Sequence, residues 1–218
     1  MPSGSPTGRP FAGALALIAW IAVALQIFLV VRVVTSEGRP FIDGVVNTLS
    51  YFTVLTNLLV ALVTTATFMR GVNAGFLTRP GTMTATAVYI LVVGLIYALL
   101  LRSLWEPTGL QRVADEALHV ATPVLYVLYW LVFVPKGSLR WSEPLYWLIY
   151  PIAYFVYFVA RGALTGIYVY PFGDIGALGL SRVLVNAVLF LVGFLALGLI
   201  FVAIDRLLSR SRGEAISG

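Results

Sequence analysis

Along the chain, apolar residues run in six long blocks separated by short polar stretches. The blocks fall at about 11–34, 48–69, 82–101, 116–134, 144–162 and 183–204. Each is close to the roughly 20 residues a helix needs to cross the hydrocarbon of a bilayer. Inside lipid a backbone must satisfy its own N–H and C=O groups, so blocks of this length predict helices and not barrel strands. The pattern predicts an all-α, polytopic six-helix transmembrane bundle with both termini on the same side. Residues 1–10, rich in Pro, Gly and Ser, are expected to form a disordered tail, 11–205 a single six-span domain, and 206–218 a basic tail. No internal repeat is visible. Arg9 followed by Ala22-Val23-Ala24 has the outline of a signal peptide, but the apolar run continues to Val34. That is too long for a signal h-region, so the block reads as an uncleaved first span.

Charge then orients the bundle. Only 11% of the residues are charged, against about 25% in a soluble domain, which excludes a water-soluble fold. With the N-terminus inside, the cytoplasmic segments carry Arg9, Arg70, Arg79, Lys136, Arg140, Arg206, Arg210 and Arg212 against Glu143, Asp205 and Glu214. The opposite side carries Arg32, Arg39, Arg102, Arg112, Arg161 and Arg182 against an equal set of acids, Glu37, Asp43, Glu106, Asp115, Glu116 and Asp174. The positive excess predicts a multi-pass protein of the cell membrane with cytoplasmic N- and C-termini. The net charge of +5 has no basic patch with interleaved aromatics to go with it, so no nucleic acid is expected as partner. Trp20, Trp105, Trp141 and Trp147 read as interface or span-end anchors.

In that orientation the polar residues of the spans gather in the outer leaflet. Span 2 enters from outside through N-T-L-S-Y-F-T-V-L-T-N, which places Thr53, Thr56 and Asn57 in its outer half. Span 4 enters through D-E-A-L-H-V-A-T-P-V-L-Y-V-L-Y-W, carrying His119, the one histidine of the chain. At about 1.5 Å of rise per residue, Thr53 and His119 fall at similar depth. Arg102, Arg161 and Arg182 end or begin spans on the same side, and Asn186 lies one turn further in. An ionisable group inside a span is costly and marks a functional hypothesis; span-end arginines also simply snorkel.

The chemistry available is narrow. With no cysteine and one histidine, thiolate nucleophiles and paired-histidine metal sites are excluded, and neither metal nor cofactor is expected. His119 suits a general base if a neighbour fixes its tautomer. Asp115 at i−4 and Glu116 at i−3 share its helix face, although acids also favour a helix N-terminus for its own sake. Pro123 lacks the N–H that the His119 carbonyl would receive, which predicts a freed carbonyl and a bend beside the histidine. Ser50, Thr53 and Thr56 are the hydroxyls at comparable depth, and such threonines also commonly bond the carbonyl at i−4 or a neighbouring helix.

Three stretches, S-Y-F-T-V-L-T-N, D-E-A-L-H-V-A-T-P-V-L-Y and L-T-G-I-Y-V-Y-P-F, occur in this order. The chain thereby resembles the androgen-induced protein family, which includes the androgen-dependent TFPI-regulating protein, and looks most like its prokaryotic branch. The resemblance implies a membrane-embedded threonine hydrolase acting on fatty acid esters of hydroxy fatty acids. It implies Thr53 as nucleophile and His119 as base, with Thr56 the neighbouring hydroxyl. Asn57 and Tyr170 are candidate oxyanion donors. Arg102, Arg161 and Arg182 are candidates for a substrate carboxylate, which a guanidinium fork suits. The expected partners are membrane lipids or a lipid ester. Two other classes stand beside this one: a small transporter or channel handling protons or anions, and a non-catalytic scaffold with Thr and His as interhelical glue.

Overall fold

A computed structural model describes residues 8–104 and 106–217, with side chains described through Ser209. The predicted tail at 1–7, the anchor Trp105 and the side chains of Arg210, Arg212 and Glu214 lie outside the described residues. Every regular element among the described residues is helical, and six helices are long and apolar enough to cross a membrane: Gly8–Ser36, Phe52–Arg70, Pro80–Leu104, Gly109–Phe133, Glu143–Thr165 and Leu180–Ser209. Large apolar side chains such as Leu17, Leu99, Val132, Val156 and Leu189 stand exposed along them. Water would penalise that surface and lipid tails would not, which suggests a multi-pass membrane protein.

Several boundaries differ from the sequence expectation. Helix α1 spans Gly8–Ser36, so residues 8–10 belong to the first helix and not to a tail. Arg9 donates to the Phe68 and Met69 carbonyls at 2.7–3.0 Å, which ties the start of α1 to the last turn of the second span. That span does not begin at 48. A short helix, α2 (Phe41–Thr48), ends first, and the chain turns through Leu49–Tyr51 before α3 (Phe52–Arg70) starts. Thr53 is therefore the second residue of a helix. Gly44 seats α2 on α1, since a Cβ there would lie 2.8 Å from Val31 Cα.

The chain divides into two compact units, 1–136 and 137–218. In the first, α1 packs along α3, and α3 along α4 (Pro80–Ile96), which runs on through a π turn at Tyr97–Leu101. The fourth span is also interrupted. It comprises α5 (Gly109–Glu116), a π turn at Ala117–Ala121 and α6 (Thr122–Phe133). Helices α4 and α6 are joined by Trp130 Nε1 donating to Thr84 Oγ1 at 2.8 Å and Tyr126 OH donating to the Met83 carbonyl at 3.2 Å. Lys136 closes the end of α6 by donating to the Trp130 and Val134 carbonyls.

The second unit holds α7 (Glu143–Trp147), α8 (Ile149–Thr165), α9 (Ile175–Leu178) and α10 (Leu180–Ser217). Buried Asp205 accepts from the Gly137 and Leu139 amides at 2.9 and 3.4 Å, and so fastens the loop ahead of α7 to α10. Gly166, with φ +71, ends α8 and lets Thr165–Phe172 fold back. Tyr168 then packs directly on Gly162, and Phe158, Tyr170, Phe172 and Phe190 continue as a ladder of rings 4.9–6.1 Å apart. Gly44→Ala forces helix backbones apart and is expected to cost about 1–3 kcal/mol. Thermal unfolding in detergent should show the loss as a lowered Tm.

Candidate functional site

Pro123 sets the local geometry of the fourth span. In an α-helix its missing N–H would strand the His119 carbonyl; in the i→i+5 register of a π turn it strands the residue five positions back, Leu118. The chain takes the second course. The Thr122 amide bonds the Ala117 carbonyl across the π turn, and Leu118 O receives its hydrogen bond from Asn57 Nδ2 of α3, at 3.1 Å. The freed carbonyl expected at His119 thus falls one residue earlier. Gly94 admits this irregular backbone to α4: a Cβ there would lie 3.2 Å from Pro123 Cβ and 3.3 Å from His119 O.

Asn57 is wholly buried and uses Nδ2 twice, on Leu118 O and on Thr53 O at 2.8 Å. Both amide hydrogens are then committed to carbonyls, and the atom left over is Oδ1, an acceptor without a partner among the described residues. As placed, Asn57 is a clamp between α3 and the π turn and has no hydrogen to give an oxyanion. Val54 and Leu118, with Ala22 and Val23 of α1, form the apolar cluster behind it.

Beside the clamp lies a group of ionisable side chains. His119 Nδ1 is 3.1 Å from Asp115 Oδ1 and 3.0 Å from the Asp115 carbonyl oxygen. A peptide oxygen only accepts, so the neutral ring carries its proton on Nδ1 and leaves Nε2 with a free lone pair. Tyr97 OH donates to the other carboxylate oxygen, Asp115 Oδ2, at 2.5 Å, and the Tyr97 ring stacks on the imidazole with centroids 4.4 Å apart and planes 16° apart. Of the two acids considered for orienting His119, Asp115 occupies that position. Glu116 instead takes Arg102 Nη2 at 3.0 Å, and the Arg102 guanidinium lies 5.8 Å from the Tyr97 ring centre.

The sequence-derived candidates therefore fall into three sets. Asp115, His119, Glu116 and Arg102 are drawn into one cluster with Tyr97, which sequence reasoning missed. Its signal was available, as a phenol five residues before Arg102 at the same span end. Thr53, Thr56 and Asn57 lie on α3, fastened to the cluster's backbone through Leu118; Thr53 and His119 share no hydrogen bond. Thr53 and Thr56 are both buried, Thr53 keeping 7% of its surface exposed and Thr56 none. Tyr170, Arg161 and Arg182 belong to the second unit. There Tyr170 is a buried rung of the aromatic ladder, Arg161 donates to the Ile167 carbonyl at 3.2 Å, and Arg182 stands exposed in the first turn of α10.

Fold and site together define a helical chain with six potential membrane spans and a buried tyrosine–aspartate–histidine cluster at one end of its first unit. Comparisons with protein-family models, with curated proteins and with solved structures each find no match.

The two unpartnered polar atoms beside the π turn, Asn57 Oδ1 and Thr122 Oγ1, separate clamp from bystander. Asn57→Leu strands the buried Leu118 carbonyl and is expected to cost about 1–3 kcal/mol, whereas Thr122→Val removes a hydroxyl with no hydrogen bond among the described residues and should leave stability unchanged or raised. Denaturation midpoints of the two variants check this.

Proposed function

We propose that the chain is an integral membrane hydrolase of lipid carboxylic esters, with Thr53 as nucleophile and His119 as general base. The observation that carries this reading is the double hold of Asp115 on His119 Nδ1, through Oδ1 and the peptide oxygen. A base needs a bare nitrogen of defined tautomer, and Nε2 is that nitrogen. In the reaction Thr53 Oγ attacks the ester carbonyl while Nε2 takes its proton. The tetrahedral intermediate collapses as His119 returns that proton to the departing alkoxide, leaving an acyl-threonine. Water deprotonated by Nε2 then attacks the acyl carbonyl, and the fatty acid leaves as Thr53 Oγ regains a proton. A hydrogen bond between base and nucleophile commonly tightens only around substrate.

Two features support Thr53 over Thr56. It keeps some surface exposed where Thr56 has none, and it is the second residue of α3. The start of a helix carries the positive end of the dipole, which favours an oxyanion on a neighbouring carbonyl. The resemblance of S-Y-F-T-V-L-T-N, D-E-A-L-H-V-A-T-P-V-L-Y and L-T-G-I-Y-V-Y-P-F to the androgen-induced protein family extends the proposal to fatty acid esters of hydroxy fatty acids. Arg102, half-exposed and paired with Glu116, then offers an exchangeable partner for the free carboxylate. In this reading the site lies in the outer leaflet of the cell membrane, with both termini cytoplasmic.

Fluorophosphonate labelling and lipid-ester turnover of the purified protein test the chemistry. Thr53→Ala should abolish both, His119→Ala should lower turnover by about 10²–10⁴-fold, and Thr56→Ala should retain both. Labelling that survives Thr53→Ala and vanishes in Thr56→Ala moves the nucleophile. A wild-type protein that neither labels nor turns over overturns the hydrolase reading in favour of a transporter or scaffold. The cysteine-free chain also permits single-cysteine mapping. Asn73→Cys and Ser138→Cys should resist a membrane-impermeant thiol reagent on intact cells, and Thr108→Cys and Gly176→Cys should react; the reverse pattern inverts the topology.

A further inference from the structure

We propose that Tyr97 is a positioning residue for His119, acting through Asp115 to hold the imidazole in its Nδ1–H tautomer. Tyr97 holds the pair at two points. Its hydroxyl donates to Asp115 Oδ2 at 2.5 Å, and its ring lies against the imidazole at 4.4 Å. The two carboxylate oxygens are thereby divided between Tyr97 and His119, and apart from the half-turn that exchanges its equivalent oxygens the carboxylate has no rotation that keeps both. All three side chains are buried or nearly so, with Asp115 and Tyr97 below a tenth exposed. A side chain that loses its partner there is not rescued by bulk water.

The placement of Tyr97 is itself built. It opens the π turn Tyr97–Leu101 and lies three residues after Gly94, where a Cβ would lie 3.3 Å from the His119 carbonyl oxygen. Two irregular turns on adjacent spans thus bring a phenol and an imidazole face to face. Arg102 and Glu116 complete the ionisable groups of the cluster, pairing with each other at 3.0 Å and leaving Asp115 to Tyr97 and His119. Without the Tyr97 hydroxyl, Asp115 Oδ2 is left without its donor. The carboxylate is then free to turn from Nδ1, and the peptide oxygen alone holds the ring.

The assignment rests on the hydrolase reading only for its kinetic consequence, because His119 is the single histidine and reports on itself. With ring-15N histidine in lipid nanodiscs at mildly alkaline pH, the wild type is expected to show one tautomer, protonated at Nδ1. Tyr97→Phe should show a mixture with a substantial Nε2–H population. Asp115→Asn should show the same redistribution with Tyr97 intact. Turnover of a lipid ester should fall roughly 10-fold in Tyr97→Phe, through kcat more than KM, and Tyr97→Phe/Asp115→Asn should be no slower than Asp115→Asn alone, since residues acting as one unit are not additive. A wild-type tautomer pattern in a folded Tyr97→Phe protein overturns the proposal, as do additive losses in the double variant. Should Tyr97→Phe not fold, a wild-type tautomer pattern in Asp115→Asn overturns it equally. Redistribution in Tyr97→Phe with no turnover by the wild type supports the positioning role and overturns the hydrolase reading.

Discussion

The geometry at this end of the first unit follows from one missing hydrogen. Pro123 cannot donate, and a backbone carbonyl stranded in a low-dielectric interior is costly unless another group reaches it. Moving the orphan from His119 to Leu118 by a π turn brings it to face α3, where Asn57 waits with an amide. The same Asn57 nitrogen bonds the Thr53 carbonyl, so the repair of span 4 fixes the first turn of α3 as well. A helix break that would otherwise loosen the fold here ties two helices together.

Around that repair, small residues set how close the backbones come. Gly94 brings α4 to the irregular turn and Gly44 brings α2 to α1, each at a distance that a Cβ would obstruct. Between lipid-embedded helices the hydrophobic effect gives little attraction, so close packing and interhelical hydrogen bonds carry the association. The bonds from Trp20 to Thr65, Trp130 to Thr84 and Asn57 to Leu118 are of this kind. Threonines such as Thr64, Thr67 and Thr84 give their hydroxyl hydrogen to the carbonyl at i−4 of their own helix.

The six spans were legible in the sequence because lipid leaves a long apolar block few alternatives. The i−4 spacing of Asp115 and His119 was legible for a similar reason, since helical periodicity alone puts them on one face. What stayed hidden depended on register and on long-range contact. The proline announced a defect, yet whether the orphan would be His119 or Leu118 depended on an i→i+5 turn stabilised from another helix. The turn at Leu49–Tyr51 was masked by its own apolar and aromatic residues, so the second block was read as starting at 48 and α2 was not foreseen. Tyr97 was overlooked because an aromatic near a span end is ordinarily an anchor. Asn57 looked like a donor for a ligand, and only its two carbonyl partners reveal how its hydrogens are used.

The histidine cluster illustrates what burial does to an ionisable group. In water an aspartate four residues from a histidine would be a weak, screened neighbour. Here the carboxylate has one donor on each oxygen, and the imidazole has a carboxylate and a peptide oxygen at one nitrogen and an aromatic ring on its face. Each contact removes a rotation or a tautomer that the others would permit. The result is a nitrogen, Nε2, whose lone pair is fixed in direction, which is the preorganisation that the proposed proton transfer would use. The supports come from the third and the broken fourth helical stretch, so the orientation of the imidazole depends on two π turns being in place. A substitution that restored a regular α-helix at Tyr97–Leu101 would displace Tyr97 from the cluster, and one at Ala117–Ala121 would displace His119.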